Sequence, residues 1–373
     1  MRFRFKTIDK SALAKNATAV VAIDLNMPVV NGRVADDFRL KRSIPTLSLL
    51  ARSGTRTLLL GHLARGEDDT ISLAPVCRHL NNFFPARFAK DIVEARKALA
   101  ESKNGEFVML ENTRRFTGEK ENDESFAREL ASLGNIYVNE AFSVSHRPHA
   151  SIVGVPKLLP HYAGSLFSEE VAHLARVFNP SRPFLFILAG AKFETKMPLV
   201  KKFIELADLV FVGGALANDL FRAKGYEIGL SKHAERDLGF ADLVKNKKLT
   251  FPSDVTIASG AVKNPDRVLP SERIVDAGPA TVAALYEKIT QAKFALWNGT
   301  LGEYESGFGK ETEALANILA ESSTESVVGG GDTLAAIAKL NLTEKFSFVS
   351  TGGGAMLEFL AKGTLPGIEA LEN

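Results

Sequence analysis

The sequence predicts an α/β protein of two lobes, each a mostly parallel sheet covered by helices on both faces. Short apolar runs alternate with longer amphipathic ones along nearly the whole chain, which is the pattern of strands joined by crossover helices. With 373 residues the chain is too long for one core and fits two domains. A seam in the middle, "LARVFNPSRPFLF", closes a helix expected over 166–178 with Pro180 and Pro183 before the next strand begins.

In the first half the strands are expected in "AVVAID", "TRTLLLGHL", "EFVMLEN" and "NIYVNEAF". Each is rich in β-branched or aliphatic residues and ends in polar ones. In the second half they are expected in "PFLFILAG", "LVFVGGA", "KFALWNG", "SVVGGG" and "FSFVSTGGG". Between them, stretches such as "DDFRLKRSIPTLSLLARSG" and "ENDESFARELASLG" have helical spacing and a closing glycine. No low-complexity tract or charge run separates the halves, so they are expected to be joined tightly. Sheets of this kind bind ligands beyond the carboxyl ends of their strands.

Composition narrows the function. Hydrophobic residues make up 45% and charged residues 24%, and the formal net charge is +2. Nothing calls for a nucleic-acid or membrane surface, so any cationic site is local. Cys77 is the only cysteine, which excludes an intrachain disulfide and a cysteine zinc cage. The opening "MRFRFKTIDK" lacks the apolar core of a signal peptide, no run of about eighteen apolar residues is present, and a cytoplasmic location is expected.

The two halves carry different chemistry. In the first, cations and amides stand where strands end: Asp24 and Asn26, then Arg39; His62 and Arg65; Arg114; and His146, Arg147 and His149. Strand ends of one sheet converge, and guanidinium forks match phosphate and carboxylate bidentately. A small, multiply anionic ligand is the expectation. Metal binding by these histidines is not expected, because no H-x-x-x-H or H-E-x-x-H spacing occurs and the arginines would repel the ion.

In the second half, "ILAGAKFETK", "FVGGALAND", "VVGGGDTLAA" and "VSTGGGAMLE" each end a strand and open a helix. Glycine lets backbone N–H groups approach a phosphate, and the helix dipole favours its charge. Lys192 and Lys196, four apart, are placed to aim at a phosphate chain, and Asp332 and Thr333 are expected at an N-cap position. An aspartate there is either a simple cap or a magnesium partner. No G-x-x-x-x-G-K-[ST], G-x-G-x-x-G or kinase H-R-D/D-F-G set is found, so P-loop, dinucleotide and protein-kinase chemistry are not expected. An anionic small molecule on one lobe and a nucleotide on the other suggest phosphoryl transfer. A carboxylate acceptor would be ionised at neutral pH and need no general base, leaving catalysis to alignment and charge neutralisation.

At this point eight ordered motifs resemble one family. "AIDLNMPVVNGRVADDFRLKRSIPTL", "GHLARG", "LENTRRFTGEKEND", "VNEAFSVSHRPHASIVG", "LAGAKFETK", "LWNGTLGEYE", "VVGGGDT" and "VSTGGGAMLEFLAKGTLPGIEAL" look like the successive signatures of the phosphoglycerate kinases, from residue 22 to residue 371. The resemblance implies phosphoryl transfer between 1,3-bisphosphoglycerate and ADP, giving 3-phosphoglycerate and MgATP, as in glycolysis and gluconeogenesis. It implies a domain over 1–165 for 3-phosphoglycerate, a hinge helix over 166–180, a nucleotide domain over 181–355, a tail from 356 returning to the first domain, and a monomer. Motif by motif, 3-phosphoglycerate would be held by Asp24, Leu25, Asn26, Arg39, His62, Leu63, Ala64, Arg65, Arg114 and Arg147. Arg115 stays open as an alternative to Arg114. The nucleotide would be held by Gly190, Ala191, Lys192, Lys196, Gly213, Asn298, Glu305, Gly330, Gly331, Asp332 and Thr333. Catalysis would fall to Arg39, Lys192 and Gly331, and Mg2+ to Asp332.

The chain departs from the family pattern at Thr300 where W-N-G-P is usual, at Ala215 where G-G-G is usual, in "FSVSHR" for F-G-T-A-H-R, and in "SERIVDAGP", which lacks the glycine–leucine pair beside the adenine. These changes bear on nucleotide preference more than on the reaction. A catalytically silent, nucleotide-binding or interaction relative is the alternative; its mark would be loss of Arg39, Lys192 or Asp332, and all three are present.

Overall fold

The computed structural model describes residues 3–14, 17–66, 68–69, 71–191, 193–235 and 239–372. They divide into two compact units, Met1–Ala172 with Thr364–Asn373, and His173–Gly363.

The first unit runs β1 (Thr18–Ala22), a short hairpin of β2 (Val29–Val30) and β3 (Arg33–Val34), α1 (Phe38–Arg52), β4 (Arg56–Leu60), α2 (Ala74–Leu80), β5 (Ala86–Ala89), α3 (Ile92–Glu101), β6 (Phe107–Leu110), α4 (Glu124–Ala131), β7 (Ile136–Asn139), β8 (His161–Ala163) and α5 (Ser165–Arg176). Its sheet has the order β5-β6-β4-β1-β7-β8, every pair parallel. The central strands are buried on both faces, as the near-continuous apolar runs of β1, β4, β6 and β7 require. Helix starts follow local chemistry: Asp91 caps α3 through the Glu94 N–H (2.8 Å), and Asp123 caps α4 through the Phe126 N–H (2.8 Å). Chain order reverses direction at β1, between β4 on one side and β7 on the other. Ligands of such sheets bind at that point.

The second unit begins within α5 and continues β9 (Phe184–Leu188), α6 (Phe193–Leu206), β10 (Leu209–Val212), α7 (Ala215–Ala223), α8 (Phe240–Leu243) and β11 (Leu249–Thr250). An antiparallel sheet of β12 (Val255–Ile257), β13 (Val262–Lys263) and β14 (Ile274–Ala277) interrupts the alternation. Then come α9 (Pro279–Gln291), β15 (Phe294–Asn298), α10 (Lys310–Glu321), β16 (Glu325–Gly329), α11 (Gly331–Lys339), β17 (Phe348–Ser350) and α12 (Gly354–Lys362). The large sheet has the order β11-β10-β9-β15-β16-β17, again with parallel pairs throughout, and its switch point lies between β9 and β15.

The two-lobed α/β class and its mostly parallel sheets are those expected, and each expected strand is present. Short strands β5, β8 and β11 and the antiparallel sheet are additions. Their runs are two to four residues long, too brief for periodicity to distinguish them from loops. The unit boundary falls inside α5, and α5 itself ends at Arg176 rather than reaching 180. Helix α12 belongs to the second unit, where Lys202 Nζ donates to the Ala361 carbonyl (2.8 Å) and Phe178 meets Phe359 edge-on. The segment grouped with the first unit therefore starts at Thr364 rather than 356. Its helix α13 (Pro366–Glu369) is anchored there by the Gly367 N–H on the Ser145 carbonyl (2.8 Å).

Candidate functional site

In the first unit the site forms where β1, β4, β6 and β7 end. Asp24, two residues past β1, is buried, and its carboxylate is fully engaged. Oδ1 accepts the Asn26 N–H (3.0 Å), while Oδ2 takes both the Ser143 hydroxyl (2.5 Å) and an Arg39 guanidinium N–H. Burial opposes ionisation of Asp24, but Arg39, Ser143, His62 and the Asn26 N–H outweigh it and hold the carboxyl below its ordinary range. Asn26 in turn accepts the Ala64 N–H (3.1 Å), so two strand-end loops are tied together.

His62 is buried at the end of β4, beside Arg114 after β6 and His149 after β7; together they line one small cavity. Burial, then the neighbouring Arg114, His149 and Arg147, push the His62 imidazole down to about 3 in spite of Asp24. Burial with Arg114, Arg147, Lys120 and His146 pushes His149 to about 4. Arg114 is lowered by its own burial and by Arg147, and its Nε meets no hydrogen-bond partner. Burial and the nearby arginines thus keep both imidazoles neutral at physiological pH, and the Arg114 guanidinium supplies the positive charge at this cavity, an arrangement that suits an anion.

Arg114, not Arg115, joins this cluster: Arg115 turns back one helical turn to pair with Glu111 (2.8 Å). Arg147 is exposed at its edge. Arg65 is exposed in the loop after β4, whose backbone exchanges hydrogen bonds with Asp68 (2.8 and 3.1 Å). Leu25 and Leu63 are buried in the core, which leaves only their backbone available to a ligand. Sequence reasoning missed Glu119. It is buried beside the cluster, accepts the Ser151 N–H (3.0 Å) and hydroxyl (2.5 Å), and lies 3.8 Å from His149 Nδ1. Only its place in a charged run, "GEKEND", announced it, and such runs usually face solvent.

In the second unit two cavities meet at the β9/β15 switch point. The larger, about 500 Å³, is walled by Gly190, Ala191 and Lys196, by Asn298–Thr300, by Gly330–Thr333 at the start of α11, and by Gly353 and Gly354 at the start of α12. Helix N-termini present unpaired N–H groups and positive dipole ends, a ready site for phosphates. Gly299 and Gly330 have to be glycine. Their φ angles are +99° and +109°, and a Cβ on Gly299 would stand 2.8 Å from Lys196 Nζ.

Lys196 is buried, with Nζ donating to the Ala189 carbonyl. Lys192 lies outside the described residues. Asp332 and Thr333 are not at the N-cap. That position belongs to Gly330, two residues before Asp332, so Asp332 and Thr333 occupy the first turn of the helix. Thr333 accepts the Gly299 N–H (3.0 Å), and the exposed Asp332 carboxylate lines both cavities. Asn298 is buried beside Met356.

The smaller cavity, about 190 Å³, continues from Gly190, Ala191 and Asp332 to Phe221, Ile274–Ala277, Leu301 and the exposed Glu305. A slot with apolar side chains such as Phe221 and Ile274 on its walls and charged groups at its rim, leading into a larger cavity edged by helix N-termini, suits a nucleotide. Gly214 lines it, whereas Gly213 is buried under Leu301 and Phe211. Sequence reasoning missed Asn218, Lys232 and Glu303 in this lining; Glu303 pairs with Lys232 (3.5 Å) and Arg273 (3.1 Å). Among the described residues no group of three histidine, cysteine or carboxylate side chains could hold a metal by itself. A single free carboxylate next to a phosphate cavity does fit Mg2+, which completes its shell with substrate phosphates and water.

Comparison with known proteins identifies the family. The family model described as phosphoglycerate kinase matches residues 9–363. Phosphoglycerate kinase of Pelotomaculum thermopropionicum is 37% identical over 96% of this chain and 96% of its own length. That of Rhodospirillum centenum is 40% identical over 98% and 99%. The structure of phosphoglycerate kinase from Coxiella burnetii superposes with a TM-score of 0.84 at 36% identity, covering 99% of this chain and 98% of that one. The chain belongs to the phosphoglycerate kinase family.

Proposed function

We propose that this chain catalyses reversible phosphoryl transfer between 1,3-bisphosphoglycerate and ADP, giving 3-phosphoglycerate and MgATP, as a monomeric cytoplasmic enzyme of glycolysis and gluconeogenesis. The observation that carries the reading is the cation cluster of the first unit. Burial and the charges of Arg114 and Arg147 keep the His62 and His149 imidazoles well below their ordinary range while Arg114 keeps its charge beside them, which suits a phosphorylated carboxylic acid better than a neutral molecule.

On this reading Asp24, Asn26, His62, Arg114 and Arg147 bind 3-phosphoglycerate, with Arg65 and the backbone of Leu25, Leu63 and Ala64 at the margin. The first unit is thus the substrate domain and the second the nucleotide domain. The acceptor carboxylate is ionised at neutral pH and attacks without a general base. Arg39 orients that carboxylate and, together with Lys192, offsets charge on the moving phosphoryl group. Backbone N–H groups at Gly330, Gly331 and Ala191 would bind the phosphate chain in the cavity that Lys196 and Asn298 also line, and Glu305, in the smaller cavity, would bind the ribose. Asp332 would hold Mg2+ with the nucleotide phosphates, and the ion supplies charge neutralisation there.

A coupled assay tests the proposal: purified protein with ADP, Mg2+ and 1,3-bisphosphoglycerate should form ATP. Absence of turnover in a folded sample would favour the silent alternative.

A further inference from the structure

Asp24 holds Arg39 in place, but Arg39 is the group needed at the acceptor carboxylate. The guanidinium is about one-third exposed, and one of its N–H groups rests on Asp24 Oδ2. Drawing it toward a substrate weakens that contact and leaves a buried carboxylate short of its counter-charge, the situation that makes broken buried ion pairs costly.

The structure supplies a second donor at the same oxygen. Ser143 stands in the turn after β7 (Phe142–Val144), half-buried, and its Oγ–H donates to Asp24 Oδ2 at 2.5 Å. Ser143 stands at a departure from the family pattern, in "FSVSHR" where F-G-T-A-H-R is usual. The turn that carries Ser143 is fixed independently. The Ser145 N–H bonds the Phe142 carbonyl (3.0 Å), and the Ser145 hydroxyl donates to the Ala141 carbonyl (2.9 Å). Ser143 therefore meets Asp24 from a rigid support, while Arg39 meets it from a long side chain with several rotamers.

We propose that Ser143 is a positioning residue, which keeps Asp24 hydrogen-bonded while Arg39 is drawn from it toward the reacting carboxylate. The inference rests on the proposed phosphoryl transfer and on Arg39 acting in it. It makes Ser143 matter in the transition state, when Arg39 is most strongly recruited, and little in ground-state binding.

The test compares wild type with Ser143→Ala and Ser143→Thr. Loss of one hydrogen bond to a charged group should lower kcat of Ser143→Ala about tenfold, with KM for 3-phosphoglycerate changed by less than about twofold. Ser143→Thr, which keeps the hydroxyl, should recover most of the rate. A second readout needs no turnover: the Asp24 carboxyl, followed by carbon NMR, should titrate at a higher pH in Ser143→Ala than in wild type. Unchanged kcat in Ser143→Ala, an equal loss in Ser143→Thr, a rise in KM that matches the fall in kcat, or an unmoved Asp24 titration would each overturn the proposal. An inactive wild type would instead overturn the reading on which it rests.

Discussion

Replacing Glu140 by glutamine probes a charge that the fold buries for no catalytic purpose. Glu140 follows β7, wholly buried between α1 and the first turn of α5. Its Oε1 accepts the Leu166 N–H (3.3 Å), the Thr46 hydroxyl and the Phe167 N–H also face it, and Oε2 meets no hydrogen-bond partner. Burial pushes this carboxyl from 4.5 to about 8, with Glu169 adding to the rise and the three donors opposing it. In the unfolded chain the group titrates near 4.5, so between pH 4.5 and 8 the folded protein binds more protons than the unfolded one. The stability it contributes is full below about pH 4.5 and is lost as the pH rises through 8, at most about 1.4 kcal/mol per pH unit and on the order of 5 kcal/mol in all. Glutamine keeps the shape and one acceptor but cannot ionise. The excess stability of Glu140→Gln over wild type should therefore grow from pH 5 to about pH 8 and level off above it. Urea unfolding followed by circular dichroism at each pH gives the difference. The histidines and Asp276 titrate in both proteins and cancel from it. A difference that stays flat from pH 5 to 9 would refute the reasoning.

Other outcomes are expected. Arg39→Ala should lower kcat by roughly 10²–10³ while KM for 3-phosphoglycerate rises much less, since its charge acts chiefly in the transition state; steady-state kinetics showing lost binding at unchanged kcat would defeat that role. Gly330→Ala forces a side chain onto a φ of +109° and places its Cβ 3.3 Å from both Asn298 Nδ2 and Thr333 Oγ1. It should cost roughly 1–2 kcal/mol of stability and weaken ADP binding in calorimetry, and an unaltered affinity would remove Gly330 from the phosphate site. Binding of 3-phosphoglycerate at pH 5–6 should take up protons, because the anion raises His62 and His149 from their depressed values of about 3 and 4. Calorimetric enthalpies should then vary with buffer ionisation enthalpy, and no variation would place the anion elsewhere.

The sequence by itself determined the architecture, because strand–helix alternation and strands buried on both faces are local patterns that survive without knowing their neighbours. It also marked the loops after those strands, rich in glycine and arginine, that line the cavities of the two units. The second glycine triplet is an instructive middle case. Its spacing marked a helix start, but only the fold shows Gly353 and Gly354 walling the same cavity as Gly330–Thr333.

Tertiary structure alone decided what neighbouring residues share. Arg114 and Arg115 are adjacent and chemically identical in sequence. One faces His62 and His149, the other Glu111, because successive residues in the turn Thr113–Arg115 point in different directions. Likewise Gly214 rather than Gly213 reaches the cavity, and Asp332 lies inside the helix turn rather than at its cap. Glu119 and Glu303 drew no attention in the sequence, and Ser143 did so only as part of a departure from the family pattern. Their importance lies in partners 32, 119 and 71 or 30 residues away, at Ser151, Asp24, Lys232 and Arg273, and no local period encodes distances of that kind.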